Sequence, residues 1–327
     1  MSRLLALLLT CALLRALPPA GLTCAGAICI DAADGRVLVE ESADNLGFPA
    51  SVTKLMTALL VLEDVAAGKA RLSDTVAVDA AATRFGGSTV ALAPNERQTL
   101  GDLLAAAMLR SANDAAAALA CARGGSLPAF VARMNARAAA LGMTRTQFVT
   151  PNGLTYGKGP HDTTTARDLA LLCRELLRHP EILPITACKA RTFRPFSVTG
   201  RVDMTNHNHL LASYPGCDGL KTGWTVAAGA SIATTAQRNG RRVIAVVLSC
   251  HSPQGAKPEQ RQRDAYAAQL MDAGFAIPAA PPPTPQAALA KPTSTAAASP
   301  AKTTPTTPAP AKPATPLPPL FNPRPSR

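Results

Sequence analysis

The stretch PASVTKLMT, residues 49–57, places a serine and a lysine three positions apart at the start of a predicted helix. Apolar residues recur at helical spacing as far as Leu62, and Gly68 predicts the end of the helix. Residues three apart lie on one helix face, so the Lys54 amine can reach the Ser51 hydroxyl. Taken alone, the pair also fits an exposed lysine beside a helix-capping serine.

A catalytic interpretation of this pair requires an uncharged lysine. A serine hydroxyl is a weak nucleophile until a base takes its proton, and a lysine is that base only when its pKa is lowered. Burial and a second cation both lower a lysine pKa, and Lys221 is a candidate for that cation. The helix N-terminus also favours negative charge that develops at Ser51. The pair therefore predicts a nucleophile, Ser51, and its base, Lys54.

A second motif, Ser111-Ala112-Asn113, lies inside an apolar pattern that predicts one helix from Leu100 to Cys121. Polar side chains in such a helix are costly unless they are satisfied. In a catalytic site Ser111 would relay protons and Asn113 would hold a substrate amide. The alternative is a polar kink that is satisfied by neighbouring backbone.

A third motif, Lys221-Thr222-Gly223, precedes a predicted strand. Lys221 and Thr222 are suited to bind a carboxylate, and Gly223 lets the backbone approach a substrate closely. The alternative is an edge strand that contains a glycine. Short motifs arise by chance, as a second Ser-x-x-Lys at residues 299–302 shows, so the set and its order carry the argument.

The remaining pattern predicts an α/β chain of the α+β type. Turn residues at 33–35 and at Asn239-Gly240 each join two strands into a hairpin. The predicted strands are 26–30, 36–40, 190–202, 230–237 and 241–248, and further predicted helices are 127–141, 165–177 and 260–273. Helices clustered between strands at both chain ends predict one antiparallel sheet flanked by helices, with an all-helical lobe.

Both ends of the chain differ from its middle. Residues 1–25 combine an early arginine, an apolar stretch and small residues, which predicts a secretion signal cleaved between about Ala20 and Ala25. Residues 278–327 are rich in Pro, Ala and Thr and are expected to be disordered. A catalytic domain is therefore predicted at 26–277, in an exported protein of the periplasm or cell envelope.

The net charge of +12 is concentrated at those ends. Seven of the 33 basic residues lie there, which leaves 26 against 21 acidic residues in the body. This mild positive charge does not predict a nucleic-acid partner. It fits weak contact of the basic tail with an anionic cell wall or membrane surface.

Cysteines and histidines give weaker signals. Cys11 and Cys24 are expected to leave with the signal, and the six remaining cysteines allow many pairings, so no disulfide is assigned. His207-Asn208-His209 lacks a convincing third ligand. Neither a metal nor another cofactor is expected.

The three motifs belong to longer strings that resemble one family. The strings are PASVTKLMT (49–57), SANDA (111–115), TPNGL (150–154), TTARDLA (164–170) and DGLKTGWT (218–225). From about residue 26 to 275 the chain is similar to the serine D-alanyl-D-alanine carboxypeptidases of peptidase family S11, the low-molecular-weight penicillin-binding proteins. The resemblance implies a β-lactamase/transpeptidase-like fold, a peptidoglycan stem peptide as substrate, and β-lactams as covalent inhibitors.

The resemblance also implies the chemical roles of the motif residues. Ser51 would attack the carbonyl between two D-alanines while Lys54 accepts its proton. Ser111 and Lys221 would help to return a proton to the leaving D-alanine, and Asn113 would orient the acyl chain.

Further positions follow from the same resemblance. Backbone N–H groups of Ser51 and Trp224, next to Gly223, would form an oxyanion hole. Thr222 would bind the terminal carboxylate, and Arg263 aligns with an arginine near it. Trp224 stands where the family often has His, and the family's C-terminal β domain and amphipathic anchor helix have no counterpart in the sequence.

Three alternatives remain at this point. Class A β-lactamases use a Glu for deacylation, whereas no Glu occurs between Glu96 and Glu175, so we expect penicillin to stay on Ser51. A D-alanyl endopeptidase acting on cross-links would carry the same motifs. A non-catalytic penicillin-binding sensor or wall-binding module would keep Ser51 and lack turnover.

Overall fold

A computed structural model describes residues 16–155, 159–197 and 200–279. Most of the predicted signal and nearly all of the predicted tail, residues 1–15 and 280–327, lie outside the described residues. The strands are β1 Thr23–Asp31, β2 Val37–Glu41, β3 Thr75–Ala77, β4 Arg97–Thr99, β5 Ala190–Phe193, β6 Val202–Thr205, β7 Cys217–Thr225, β8 Gly229–Arg238 and β9 Arg241–His251. The helices are α1 Lys54–Ala66, α2 Leu100–Leu109, α3 Asn113–Gly124, α4 Leu127–Ala140, α5 Ala166–Leu176, α6 Ile182–Thr186, α7 Leu210–Ser213 and α8 Ala256–Ala276.

A five-stranded antiparallel sheet is the centre of the fold, with the strand order β2-β1-β9-β8-β7. Strands β8 and β9 are buried along most of their length, which explains their nearly continuous runs of apolar and small residues. Asn239 and Gly240 both have positive φ angles, as a tight hairpin turn between these strands requires. The predicted α+β architecture is confirmed.

Two hydrophobic cores cover the two faces of the sheet. One core joins the sheet to a lobe of helices that includes α1 to α5. The other lies between the sheet and α8, where Tyr266 and Leu270 pack against Ile232 and Val247. Strand β7 is left at the edge of the sheet, beside the start of α1.

The predicted helix from Leu100 to Cys121 is wrong, because the chain breaks into α2 and α3 around Ser111. Ser111 has a φ of 59°, a left-handed conformation that cannot continue a right-handed helix. The Asn113 N–H donates to the Ser88 carbonyl oxygen instead of to its own helix, at 2.8 Å. The second motif therefore lies at a helix junction.

Two further boundaries differ from the sequence-based prediction. Lys221-Thr222-Gly223 lies within β7 and does not precede it, because its backbone pairs with β8. The predicted domain start at residue 26 is too late, because β1 already pairs with β9 from Thr23 onward. Cys24, which was expected to leave with the signal, forms a disulfide with Cys250 of β9. Of the small residues in the predicted cleavage region, Ala25 is a position of β1.

Within the described ranges no single helix combines the length and apolarity of a membrane span, although the bent pair α3 and α4 does so together.

Candidate active site

Ser51 lies in a short 3-10 turn, Ala50–Thr53, that leads directly into α1. The first residue of α1, Lys54, is fully buried, and its Nζ lies 2.9 Å from the Ser51 Oγ. The same nitrogen lies 2.7 Å from Asn113 Oδ1 and 2.7 Å from the main-chain oxygen of Asn152. One side chain from each of the first two motifs, Ser51 and Asn113, therefore contacts the Lys54 amine.

The identity of these partners decides where the Lys54 lone pair points. A carbonyl oxygen accepts hydrogen bonds and cannot donate them, so Asn113 Oδ1 and Asn152 O both need an N–H from Lys54. The orientation of the Asn113 amide is fixed independently, because its Nδ2 donates to the Gly86 oxygen at 2.8 Å. A neutral amine has two N–H groups, which leaves its lone pair for the Ser51 hydroxyl. The geometry suits removal of the Ser51 proton.

Burial lowers the pKa of Lys54 well below its usual value, and the positive charge of Lys221 lowers it further. The carboxylates of Asp162 and Asp114 act in the opposite direction but do not prevail. Lys54 is therefore poised to be neutral, as a general base must be.

Asp162 fixes the loop that carries Asn152. Its buried carboxylate accepts hydrogen bonds from the backbone N–H groups of Val149 and Thr150, at 2.6 and 2.9 Å. It also accepts from the hydroxyl of Thr53, beside Lys54, at 3.0 Å. The loop is thereby tied to the start of α1.

Two glycines allow close approaches around Ser51. A Cβ on Gly153, which has a φ of +83°, would lie 1.8 Å from the Ala50 oxygen. A Cβ on Gly223 would lie 2.5 Å from the Pro49 oxygen and 2.9 Å from the Ser51 nitrogen. Only glycine therefore lets the 150–154 loop and β7 both contact the serine turn.

The third motif contributes a second buried amine. Lys221 is 1% exposed, and its Nζ donates to the Thr222 main-chain oxygen at 2.8 Å. Burial and the charge of Arg263 lower the pKa of Lys221 to about 7. Lys221 can therefore gain or lose a proton near neutral pH.

Helix α8 supplies the outer part of the site. Arg263 is buried, donates to the Ser231 oxygen at 2.7 Å and pairs with Asp264 at 2.7 Å. One turn earlier, Glu259 Oε1 accepts from the indole Nε1 of Trp224 at 3.0 Å. The residue after Lys-Thr-Gly is thus attached to α8.

A cleft of roughly 660 Å³ brings most of the predicted residues together. Seven of the nine line it, namely Ser51, Ser111, Asn113, Thr222, Gly223, Trp224 and Arg263. Lys54 and Lys221 lie buried beneath this lining. The seven residues are supplied by the turn before α1, the junction of α2 and α3, strand β7 and helix α8.

Sequence reasoning gave no role to three residues of this site. Asn152 was visible in the TPNGL string, but its main-chain contact with Lys54 has no sequence signal. Glu259 lies 35 positions from Trp224, so only the fold reveals their hydrogen bond. His207 lines the cleft, and burial together with the charge of Lys221 lowers its pKa to about 4, which makes it a neutral side chain.

Among the described residues, no group of three or more His, Cys, Asp or Glu side chains is placed to hold a metal ion.

Comparison with known proteins specifies the family to which this fold and its serine–lysine cleft belong. A family model described as D-alanyl-D-alanine carboxypeptidase matches residues 15–252. The chain is 34% identical over 249 residues to the D-alanyl-D-alanine carboxypeptidase DacF of Bacillus subtilis, covering 76% of this chain and 61% of that one. It is 38% identical over 229 residues to DacC of Escherichia coli, covering 68% and 55%.

A solved structure gives the same result. Penicillin-binding protein D2 from Listeria monocytogenes, in an ampicillin-bound form, superposes with a TM-score of 0.67 and 33% identity, over 79% of this chain and all of that one. The chain belongs to the D-alanyl-D-alanine carboxypeptidase family. It matches a little over half of the length of the two curated relatives.

Proposed function

We propose that this chain is a serine D-alanyl-D-alanine carboxypeptidase that removes the terminal D-alanine from peptidoglycan stem pentapeptides. The observation that carries the proposal is the contact of 2.9 Å between the Lys54 amine and the Ser51 hydroxyl inside a cleft. Family membership supports the proposed substrate class, and the geometry supports Ser51 as the nucleophile and Lys54 as its base.

Acylation begins when the Ser51 Oγ attacks the carbonyl carbon of the penultimate D-alanine. The hydroxyl proton passes to the neutral amine of Lys54, and the carbonyl oxygen becomes an oxyanion. The backbone N–H groups of Ser51 and Trp224 are proposed to stabilise that charge. The close approach of β7 to the Ser51 nitrogen, which Gly223 permits, supports this assignment.

The tetrahedral intermediate then breaks its carbon–nitrogen bond. The leaving D-alanine amine takes a proton from the site, through Ser111 and Lys221, and Ser51 is left as an ester. The pKa of Lys221 near 7 suits it to give up a proton at this step. Water then attacks the ester, which releases the shortened peptide and restores the Ser51 hydroxyl.

Two groups are proposed to recognise the terminal carboxylate. Thr222 and Arg263 of α8 both line the cleft, and they would offer a hydroxyl and a positive charge to that carboxylate. Asn113 lines the lobe side of the cleft and is proposed to orient the acyl chain, although its Oδ1 also holds Lys54. Its position therefore serves both the base and the substrate.

We expect penicillins to form a long-lived ester with Ser51. None of the described residues that line the cleft is acidic, so the lining offers no Glu to activate a deacylating water. The nearby Asp162 is engaged by backbone N–H groups and hydroxyls of the 149–154 loop and of Thr53. Rapid turnover of penicillin would contradict this expectation.

The experiment that tests the function measures D-alanine release from diacetyl-Lys-D-Ala-D-Ala by the purified chain. Release that disappears in Ser51→Ala supports the carboxypeptidase. A chain that is acylated by penicillin but releases no D-alanine would instead be the non-catalytic sensor or wall-binding module. Digestion of purified cell wall, with free D-alanine and split dimers counted separately, distinguishes the endopeptidase.

The site of action is proposed to be the cell envelope, where the proposed peptidoglycan substrate lies. Residues 1–25 resemble a cleaved export signal, and the basic tail is proposed to make weak contact with the wall or the membrane surface. Cleavage near Ala20 would leave β1 and Cys24 in the mature protein. Mass spectrometry of protein isolated from the envelope checks the N-terminus.

A further inference from the structure

Trp224 and Thr222 occupy the same face of β7. They lie two positions apart, and side chains alternate between the faces of a strand. Their partners on β8 are Ala230 and Ile232, and Ile232 packs in the core beneath α8. Lys221, one position along, is opposite Ala233 and faces the helical lobe. The indole therefore lies on the side of β7 that carries the proposed carboxylate-binding threonine.

Helix α8 meets this face with two residues that lie one turn apart. Arg263 lines the cleft, and Glu259 accepts the hydrogen bond from the Trp224 indole at 3.0 Å. Residues four apart on a helix share a face, so the indole and the guanidinium border the same end of the cleft. That end holds the D-alanine that leaves, because Thr222 and Arg263 are proposed to bind its carboxylate.

The anchor of the indole is itself fixed. Glu259 is 6% exposed, and its second carboxylate oxygen accepts from the backbone N–H of Ser252 at 3.1 Å. The turn after Trp224 is fixed as well, because the Ala228 N–H donates to Thr225 Oγ1 at 3.0 Å. Neither the hydrogen-bond acceptor nor the strand end is therefore free to swing away.

The surface that results is apolar and borders open space. Trp224 is 39% exposed, and the neighbouring Val226, which also lines the cleft, is 85% exposed. A terminal D-alanine presents one methyl group to such a wall. The leaving group of a cross-link is the rest of a second stem peptide, which is larger and polar, and its burial against an indole is unfavourable.

We propose that Trp224, positioned by Glu259, forms an apolar wall at the leaving-group end of the cleft and selects a terminal D-alanine over a cross-linked peptide. This inference rests on the proposed function. Trp224 would be a specificity-determining residue, and Glu259 would be a positioning residue that acts through it.

The test compares two substrates with the full chain and its variants. Release of D-alanine from diacetyl-Lys-D-Ala-D-Ala and splitting of purified cross-linked muropeptide dimers are measured, and their kcat/KM ratio is calculated. Trp224→Ala should raise the ratio of dimer splitting to D-alanine release by about fivefold or more, since the wall that excludes the larger group is gone. A smaller change overturns the proposal.

Variants of Glu259 test the positioning role. Glu259→Ala should move the ratio in the same direction as Trp224→Ala. Glu259→Gln keeps one oxygen for the two N–H groups of Trp224 and Ser252, so its ratio should fall between those of the native chain and the Ala variant. A Glu259→Ala variant with the native ratio overturns the role of this hydrogen bond. Phe196→Ala, at a 98% exposed apolar residue absent from the cleft lining, is the matched control and should leave the ratio unchanged.

A second measurement does not alter Trp224. The chain contains one tryptophan, so its tryptophan fluorescence reports on the surroundings of Trp224 alone. In Ser51→Ala, saturation with diacetyl-Lys-D-Ala-D-Ala should shift the emission to shorter wavelength as the peptide covers the indole. Unchanged emission, with binding verified by calorimetry, overturns the proposal. A native chain that releases no D-alanine would refute the proposed function. Release of D-alanine together with an unchanged ratio in Trp224→Ala would refute only the proposed role of Trp224 in selectivity.

Discussion

The two walls of the cleft differ in how deeply their residues are buried. On the lobe side, Lys54 and Asn152 are fully buried and Asn113 is 4% exposed. Along β7 the exposure rises from 1% at Lys221 and 7% at Thr222 to 39% at Trp224. The lobe wall is a closed hydrogen-bond network, and the strand wall opens outward to solvent. Removal of the Ser51 proton is thus proposed for the buried wall, and substrate recognition and proton return are proposed for the open one.

This difference follows from local structure. A helix start and a loop held by one carboxylate can enclose an amine and lower its pKa. An edge strand has one side without a neighbouring strand, so its residues remain accessible to an extended peptide. Changes in the lobe wall should therefore affect the chemical step, and changes in the strand wall should affect recognition and proton return.

The largest effect is expected on the lobe wall. Lys54→Arg replaces the neutral amine with a guanidinium, which does not lose its proton at neutral pH. Acylation of Ser51 should fall by about 10³ to 10⁴-fold, in the range that a general base contributes. Stopped-flow acylation with a fluorescent penicillin measures this rate. A rate within about tenfold of native would show that Lys54 is not the base.

A smaller effect is expected on the strand wall. Lys221→Met removes the amine while keeping an unbranched apolar side chain in its buried position. D-alanine release should fall by about 10²-fold, because proton return to the leaving group is impaired while Ser51 and Lys54 remain. Steady-state kinetics on the diacetyl tripeptide give kcat and KM separately. A loss of activity as large as the one expected for Lys54→Arg would contradict the different functions proposed for the two walls.

The loop of the lobe wall should depend on Asp162 for its stability. Asp162→Ala leaves the buried N–H groups of Val149 and Thr150 without their acceptor, which should cost about 2 to 4 kcal/mol of unfolding free energy. Asp203→Ala, on an exposed hairpin, is the matched control and should leave the free energy of unfolding nearly unchanged. Urea denaturation measures both. Equal costs would contradict the role of Asp162.

The smallest expected effect is a change in the pH dependence of acylation, which involves residues of both walls. Acylation should rise with pH as Lys54 loses its proton, through a pKa that burial and the Lys221 charge both lower. Lys221→Met removes that charge, so the pKa of Lys54 rises and the acid limb of the acylation profile should move up by about one pH unit. Acylation rates between about pH 5 and 9 test this. A shift to lower pH would have the wrong sign.

The sequence predicted the sheet and the lobe because alternating and helical patterns are local. It failed at Ser111, where the backbone is left-handed and the nearby Asn113 N–H donates to Ser88, a residue outside the 100–121 pattern. It also placed Cys24 in the signal, because small residues at a strand start resemble those at a cleavage site.

The site was predictable to the extent that its chemistry is carried by motifs. All nine predicted residues lie at or beneath one cleft, although their catalytic roles stay predictions. The main-chain oxygen of Asn152 and the carboxylate of Glu259 have no motif of their own. Such contacts depend on how distant segments pack, and only the fold specifies them.

The most direct test of the lysine-activated serine is mass spectrometry after incubation with penicillin. The native chain should gain the mass of one penicilloyl group, located on the peptide that contains Ser51, and Ser51→Ala should gain none. An adduct of equal yield on Ser51→Ala, or a native chain that remains unmodified, would contradict the account.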